Sequence, residues 1–383
     1  MSGPRPRMCV LAATPLTIHF FFKLHLRELA RHFEVALACN PRSDAYLPPL
    51  DLPVRELALP IERKIAPWRD LWVLVALCRL FARERFDIVV SVVPKAGLLG
   101  MLAAWLLRVP RRVHIFQGEV WASRRGPMRW LLKRLDGLTA SLATHVLAVS
   151  ESEKNFLEQQ GVAPVGKLQV LGAGSICGVD TGRFRPDAVA RARVRADLGV
   201  PEHAVLCIFL GRLAVDKGIK ELAQAFAQSA TVHPALWLLL VGPDEEGMAA
   251  RLSALVAPEL ASRMLIRPFA NEPQQLLAAA DFLCLPSYRE GFGMVILEAA
   301  AVGIPSIGSR IYGITDAIKE GQTGLLVPAR DTTALASAIS RWCEQPQERQ
   351  SYGVAAQDRV MKCFEQKKVV EGYVEYFRDL LRR

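Results

Sequence analysis

The chain has 383 residues, 51% hydrophobic and 22% charged, which is material for two cores and excludes a disordered or collagen-like polymer. Its net charge of +10 is uneven: residues 1–180 carry 24 Lys and Arg against 15 Asp and Glu, whereas residues 181–383 carry 24 against 23. The basic first half therefore points to a polyanionic neighbour, and the eight cysteines, never closer than 20 residues, exclude a CxxC zinc or redox pair.

In chain order, residues 1–7 are basic and contain proline, without the long apolar core and cleavage site of a secretory signal. Strands are expected at Met8–Ala13, Val35–Cys39, Ile88–Val92, Arg112–Phe116 and His145–Val149, with amphipathic helices at Ile18–His32, Trp68–Arg85, Ala96–Leu107 and Met128–Leu142. The apolar stretches Leu71–Leu80 and Ala96–Leu107 fall short of the roughly 20 residues that span a bilayer. A cytoplasmic protein with reduced, buried thiols and no membrane span is expected. After a glycine-dense stretch, Gly172–Gly182, the alternation resumes. Strands are expected at Val205–Leu210, Leu236–Val241, Met264–Arg267, Phe282–Leu285, Pro305–Ile307 and Gly324–Val327, and the chain ends in helix. The fold class expected is α/β, with two doubly wound parallel-sheet domains facing each other across a cleft. The boundaries are 1–175, 176–365 and a final helix 366–383 that could pack back on the first domain.

Two segments carry the chemistry. After the strand ending at Leu210 come Gly211-Arg212 and then Lys217-Gly218, a glycine turn with two cations before a helix. A planar guanidinium and a mobile ammonium there suit a diphosphate, although on this segment alone two solvated surface cations read equally well. After the strand ending at Leu285 come Glu290-Gly291-Phe292-Gly293-Met294-Val295 and, three residues on, Glu298. Backbone N–H groups at that helix start suit phosphate or sugar oxygens. Glu298 sits among Val295, Ile296, Leu297, Ala299, Ala300 and Ala301, so a solvated carboxylate is the weaker reading and a partner is required.

These segments together resemble the signature of retaining GT-B glycosyltransferases of family 4. Gly178-Val179-Asp180 with Phe184 and Pro186 is similar to that family's interdomain segment, and Val113–Ala122 resembles a subgroup that makes bacterial surface polysaccharides such as O-antigen and capsule. The resemblance covers essentially the whole chain. It implies that Arg212 and Lys217 hold a donor diphosphate, Glu298 the ribose, Glu290 the donor sugar, and Gly291, Phe292, Gly293, Met294 and Val295 supply backbone donors. Glu290, Arg212 and Lys217 would be the catalytic set. It further implies transfer with retention from a nucleotide-diphosphate-sugar, UDP before GDP, to a lipid-diphosphate-linked glycan. No cofactor is expected, nor a metal, since no Asp-x-Asp occurs in the chain. Two departures fall on the acceptor side. The loop after the first strand, Ala12–Ile18, has no glycine, leaving Thr14 and Thr17 as polar groups. Gln117 stands before Gly118 where many members have histidine. His114 alternates with Val113 and Ile115, a pattern that favours packing over catalysis. Gln117 and Glu119 are the better acceptor candidates.

Arg125, Arg129 and Lys133 recur at helical spacing beside Arg124, Trp121, Trp130 and Arg134, and a second cluster joins Arg63, Lys64, Trp68, Arg69, Arg79, Arg83 and Arg85 to Leu71–Leu77. Basic residues among Trp and Leu suit an anionic membrane surface, so peripheral docking on the inner face of the cell membrane is expected, beside the alternative of solvated helical faces. Nucleic acid is not expected, because no binding module is recognisable. An epimerase or hydrolase on the same fold, or a non-catalytic nucleotide-sugar-binding subunit, are the competing functions.

Overall fold

The computed structural model describes residues 5–40, 50–61 and 66–382. The chain divides into unit 1, Met1–Cys177 with Lys367–Arg383, and unit 2, Gly178–Gln366. Arg63 and Lys64 lie outside the described residues.

Unit 1 holds strands β1 (Arg7–Leu11), β2 (Glu34–Cys39), β3 (Arg55–Ala58), β4 (Ile88–Val92), β5 (Arg111–Phe116), β6 (His145–Ala148) and β7 (Leu168–Gln169). They form one parallel sheet in the order β3-β2-β1-β4-β5-β6-β7, with Met8 opposite both Val35 and Ile88. The central strands are apolar on both faces because helices cover both. After β1 come α1 (Pro15–Thr17), a π-helical turn at Ile18–Phe22 and α2 (Lys23–Leu29), so the expected single helix Ile18–His32 is broken. The other crossovers carry α3 (Pro67–Glu84), α4 (Pro94–Leu106), α5 (Gly126–Leu142) and α6 (Glu151–Gln159). Cys9, Leu11, Leu77, Phe81, Ala103 and Val146 are buried in the core against these helices.

Unit 2 repeats the scheme with β8 (Val205–Leu210), β9 (Leu236–Val241), β10 (Met264–Arg267), β11 (Phe282–Leu285), β12 (Ser306–Ser309) and β13 (Gly324–Val327), parallel in the order β10-β9-β8-β11-β12-β13. Its helices are α7 (Ala188–Leu198), α8 (Ile219–Val232), α9 (Met248–Ser253), α10 (Pro258–Ala261), α11 (Pro273–Ala279), α12 (Met294–Ala301), α13 (Ile314–Ala317), α14 (Thr332–Glu344) and α15 (Pro346–Cys363). Helix α7 is docked by Arg195, whose buried guanidinium meets Asp281 and the carbonyls of Ala279 and Pro201.

The last helix, α16 (Gln366–Arg382), belongs almost wholly to unit 1. Val370, Tyr373, Val374, Phe377 and Leu380 form its buried stripe at helical spacing. The Tyr373 ring meets the His25 ring edge-on at 5.1 Å, and the Arg111 guanidinium donates to the Leu380 carbonyl.

Candidate functional site

In each sheet the strand order reverses once, between β8 and β11 in unit 2 and between β1 and β4 in unit 1. Ligands of such sheets sit beyond the carboxyl ends of the strands at that reversal. The predicted donor residues fall there. Lys217 ends a short 3₁₀ turn (Val215–Lys217) after β8, and Glu290 lies on the loop after β11. Lys217 Nζ meets Glu290 Oε1 at 2.6 Å, and Ser287 Oγ donates to the same oxygen at 2.8 Å. The two loops are locked by the Tyr288 N–H donating to the Asp216 carbonyl at 2.8 Å. Gly218 makes the approach possible: its φ is +67°, and a Cβ there would lie 2.1 Å from the Pro286 carbonyl oxygen.

Asp216 organises the remaining cations. Its Oδ2 lies 3.7 Å from Arg212 and 3.5 Å from Arg289, while Arg212 reaches Glu245 at 3.2 Å. Three cations are thus held by three carboxylates on loops, where a diphosphate can displace the partners. Asp216, Ser287, Glu245 and Arg289 were not singled out in the sequence. For three of them the signal was nearness: Asp216 and Arg289 each adjoin a candidate, and Ser287 precedes Glu290 by three residues, whereas Glu245, 33 residues from Arg212, had none.

Gly293, with φ +72°, starts α12. Phe292 is buried and its ring packs edge-on against Phe364 at 5.4 Å, so its side chain serves the core and only its backbone can serve a ligand. Met294 and Val295 are half-buried in the first turn. Glu298, one turn on, is half-buried and among the described residues no group bonds its carboxylate. Burial pushes this carboxyl up from the usual range to about 7, against the opposing charge of Arg183. A carboxylate in that setting gains from two neighbouring hydroxyl donors, which a ribose presents.

The acceptor-side candidates lie at strand ends of unit 1, and most are inside it. Thr14 is buried ahead of α1, and Thr17 is half-buried before the π-helical turn. His114, on β5, is buried. Its Nδ1 hydrogen-bonds Ser91 Oγ at 2.8 Å, its ring meets Phe116 edge-on, and burial pushes it down to about 3. A Cβ added at Gly97 of α4 would lie 2.4 Å from this ring, so the imidazole fills a slot the glycine leaves. Gln117 is half-buried, and its Nε2 has no hydrogen-bond partner among the described residues. The Gly118 N–H donates to Glu153 Oε1, and the Val149 N–H donates to Glu153 Oε2 at 2.8 Å. Glu119 is 1% exposed, and the carboxyl of Glu153 is driven well above the usual range by burial and then by the charge of Glu119 nearby. Glu153, which ties the ends of β5 and β6 together, was missed in the sequence. Its place three residues after Ser150, whose hydroxyl accepts its N–H at 3.1 Å, is the capping pattern that would have found it.

The basic helix differs from its spacing. Arg129 and Lys133 lie over the Trp121 ring at 5.6 and 5.9 Å and both bond Gln160. The solvent-facing set is instead Arg124, Arg125 and Arg134 with Met128, Trp130 and Leu131. Among the described residues no helix is long and apolar enough to cross a membrane.

Two family models match. Residues 190–359 fit "Glycosyl transferases group 1" and residues 24–174 fit "Glycosyl transferase 4-like domain". The capsular polysaccharide biosynthesis glycosyltransferase CapM of Staphylococcus aureus is 29% identical, over 85% of both chains. The UDP-Gal:alpha-D-GlcNAc-diphosphoundecaprenol alpha-1,3-galactosyltransferase of Escherichia coli is 27% identical, over 81% of this chain and 80% of its own. A D-inositol 3-phosphate glycosyltransferase of Saccharomonospora viridis is 33% identical over 74% of both. Among solved structures, Anabaena HepE in complex with UDP and glucose superposes with a TM-score of 0.80 at 20% identity, covering 98% of this chain and 100% of that one, which shows the fold. With two parallel α/β domains of GT-B type and family matches to both, the chain belongs to the group 1 glycosyl transferases and is a glycosyltransferase.

Proposed function

We propose that this glycosyltransferase moves a sugar, with retention, from a UDP-sugar to a lipid-diphosphate-linked glycan in the synthesis of a bacterial surface polysaccharide. The observation that carries the donor half is the pair of loops after β8 and β11, which bring Arg212, Lys217, Arg289 and Glu290 to the strand-order reversal of unit 2. In this reading the donor diphosphate takes Lys217 and Arg212 from their carboxylates, the ribose hydroxyls bond Glu298, and Glu290 turns to the sugar hydroxyls. The anomeric C–O bond to the β-phosphate breaks, the acceptor oxygen bonds the same face of that carbon, and the acceptor proton passes to the leaving phosphate oxygen. Arg212 and Lys217 stabilise the charge that develops there. UDP as the donor nucleotide is supported by the names of the Escherichia coli relative and of the HepE complex.

A lipid-borne acceptor is favoured over a soluble one, such as the Saccharomonospora relative's name suggests, by the surface of unit 1. Trp68, Leu71, Trp72, Met128, Trp130 and Leu131 are exposed near the starts of α3 and α5 beside Arg69, Arg124, Arg125 and Arg134. Aromatic and basic residues together suit the interface of an anionic bilayer, and we place the protein peripherally on the inner membrane face.

The test supplies UDP-sugars with a GlcNAc-diphospho-lipid acceptor and reads product and anomeric configuration by NMR. Acceptor-dependent transfer with an α product from an α donor is expected. Donor consumption at the same rate without acceptor would favour a hydrolase or epimerase, and UDP binding without turnover across acceptors would favour a non-catalytic subunit.

A further inference from the structure

Lys217 and Ser287 hold the Glu290 carboxylate, while the backbone of Glu290 rests on a third loop. Between β12 and α13 the chain turns at Gly313, which is buried, with φ +80° and ψ −54°. A Cβ added there would lie 2.7 Å from the carbonyl oxygen of Glu290 and 2.5 Å from that of Gly291. Carbon and oxygen do not pack so closely, so the two carbonyls keep their place only because residue 313 has no side chain.

Helix α13 is itself fixed from several sides. Just before it, the Arg310 N–H donates to the Val327 carbonyl of β13 at 2.7 Å. At its far end the Arg359 guanidinium of α15 donates to the carbonyls of Asp316 and Ala317, at 2.5 and 2.6 Å. Ile314, fully buried, fills the slot left by Gly308, where a Cβ would lie 2.6 Å from its Cγ2. Its Cγ1 lies 3.7 Å from where a Cβ on Gly293 would stand. The turn from Glu290 to Gly293 therefore bears on α13 at both ends. We propose that Gly313 is a positioning residue for the donor sugar: by setting the place of the Glu290–Gly291 peptide, it sets where Glu290 meets the sugar hydroxyls. This rests on the role given to Glu290 above. The three atoms nearest the added Cβ all belong to Glu290 and Gly291, so the effect falls on the sugar and spares the diphosphate and ribose contacts. The alternative role, a glycine that only permits the turn, predicts a loss of stability with no distinction between ligands.

The experiment compares Gly313→Ala with Gly321→Ala, whose glycine also has a positive φ (+73°) but open space where the Cβ would go. Two readouts are taken on the full chain: transfer to a GlcNAc-diphospho-lipid acceptor, and the rise in melting temperature with UDP and with each member of a UDP-sugar panel. Relieving the contact moves the Glu290–Gly291 peptide by roughly 1 Å, a misplacement that costs about 10²-fold in rate. Gly313→Ala is expected to lower kcat by about that factor and to erase the extra melting shift of the UDP-sugar over UDP, leaving the UDP shift unchanged. Gly321→Ala is expected to change neither readout. Added to Glu290→Ala, Gly313→Ala is expected to cost less than about threefold more, because both act through one carboxylate. Equal losses of the UDP and UDP-sugar shifts, a comparable loss in Gly321→Ala, or full additivity with Glu290→Ala overturns the proposal. Should Gly313→Ala not fold, Ile314→Val trims the same support and is expected to lower kcat about threefold with the UDP shift intact; no change there overturns the proposal. If no UDP-sugar adds to the UDP shift in wild type, the reading of Glu290 as a sugar contact fails and this role falls with it, whereas a failure confined to the variants counts against Gly313 alone.

Discussion

In unit 2, Arg212, Lys217 and Arg289 stand on loops, each held by a carboxylate that a ligand can replace. On β5 and at the ends of β5 and β6 in unit 1, His114, Glu119 and Glu153 lie under the surface, His114 bonded to Ser91 and Glu153 to the N–H groups of Gly118 and Val149. Ionisable side chains near the strand ends of the two Rossmann-like sheets thus stand in two different settings. Charge on an exposed loop is exchangeable, whereas a buried carboxyl or imidazole is committed to the loop geometry it satisfies, because leaving it unpaired is costly. A lone motif match cannot separate the two; burial and the partner can.

The largest effect expected from this contrast is at Lys217. Lys217→Ala is expected to lower kcat/KM by about 10³, near the upper range for losing one group that stabilises a developing charge. Glu290→Gln, measured in the same assay, should be strongly non-additive with it because the two share one ion pair. A loss below tenfold for Lys217→Ala would move the phosphate site elsewhere.

A smaller, pH-dependent effect is expected at Glu298. Its carboxyl is raised to about 7 by burial, so its contribution to stability is full below about pH 4.5 and is lost as pH rises through 7. Glu298→Gln should therefore melt close to wild type at pH 5 and above it, by a few degrees, at pH 8. It should also weaken UDP binding by about tenfold. Calorimetry near pH 7 should show proton release when wild type binds UDP, since ribose hydroxyls favour the ionised form. No release, or release retained in the glutamine variant, would remove the ribose role.

The smallest catalytic effect is expected at His114, where His114→Asn should leave kcat within about threefold while lowering stability by ~1–2 kcal/mol through the lost Ser91 bond and packing. The imidazole is already neutral above pH 5, so the pH–rate profile should not move. A loss of 10² or more, in the range typical of a general acid or base, would make it part of the chemistry.

The parallel strands and most crossover helices were readable because apolar period and turn residues are local signals. Trp68–Arg85 was expected as a helix, and Pro67–Glu84 is found, closed by Arg85 in the left-handed region (φ +52°). The polar edge strands Arg55–Ala58 and Leu168–Gln169 were not foreseen, since they show little apolar pattern and owe their form to pairing with a neighbour. Arg129 and Lys133 were read on one face correctly, but that they turn onto Trp121 depends on a side chain from outside the helix. Glu290 and Gly313 are 23 residues apart, and no spacing rule joins them. The loops after β8 and β11 were readable for the opposite reason: both candidates in each segment are neighbours in sequence, and the fold had only to bring two short segments together.

The final helix has a consequence for engineering. Unit 2 is one uninterrupted stretch, 178–366, inserted into unit 1. Its entry and exit are stitched by the Val179 N–H to the Phe364 carbonyl at 2.8 Å and the Gln366 N–H to the Val179 carbonyl at 2.9 Å. Unit 2 can therefore be exchanged between relatives as a single cassette with two adjacent seams. Deleting the last seventeen residues, in contrast, removes the buried face of Val370, Tyr373 and Phe377 and would unravel the opposite half of the protein from the one the chain has just left.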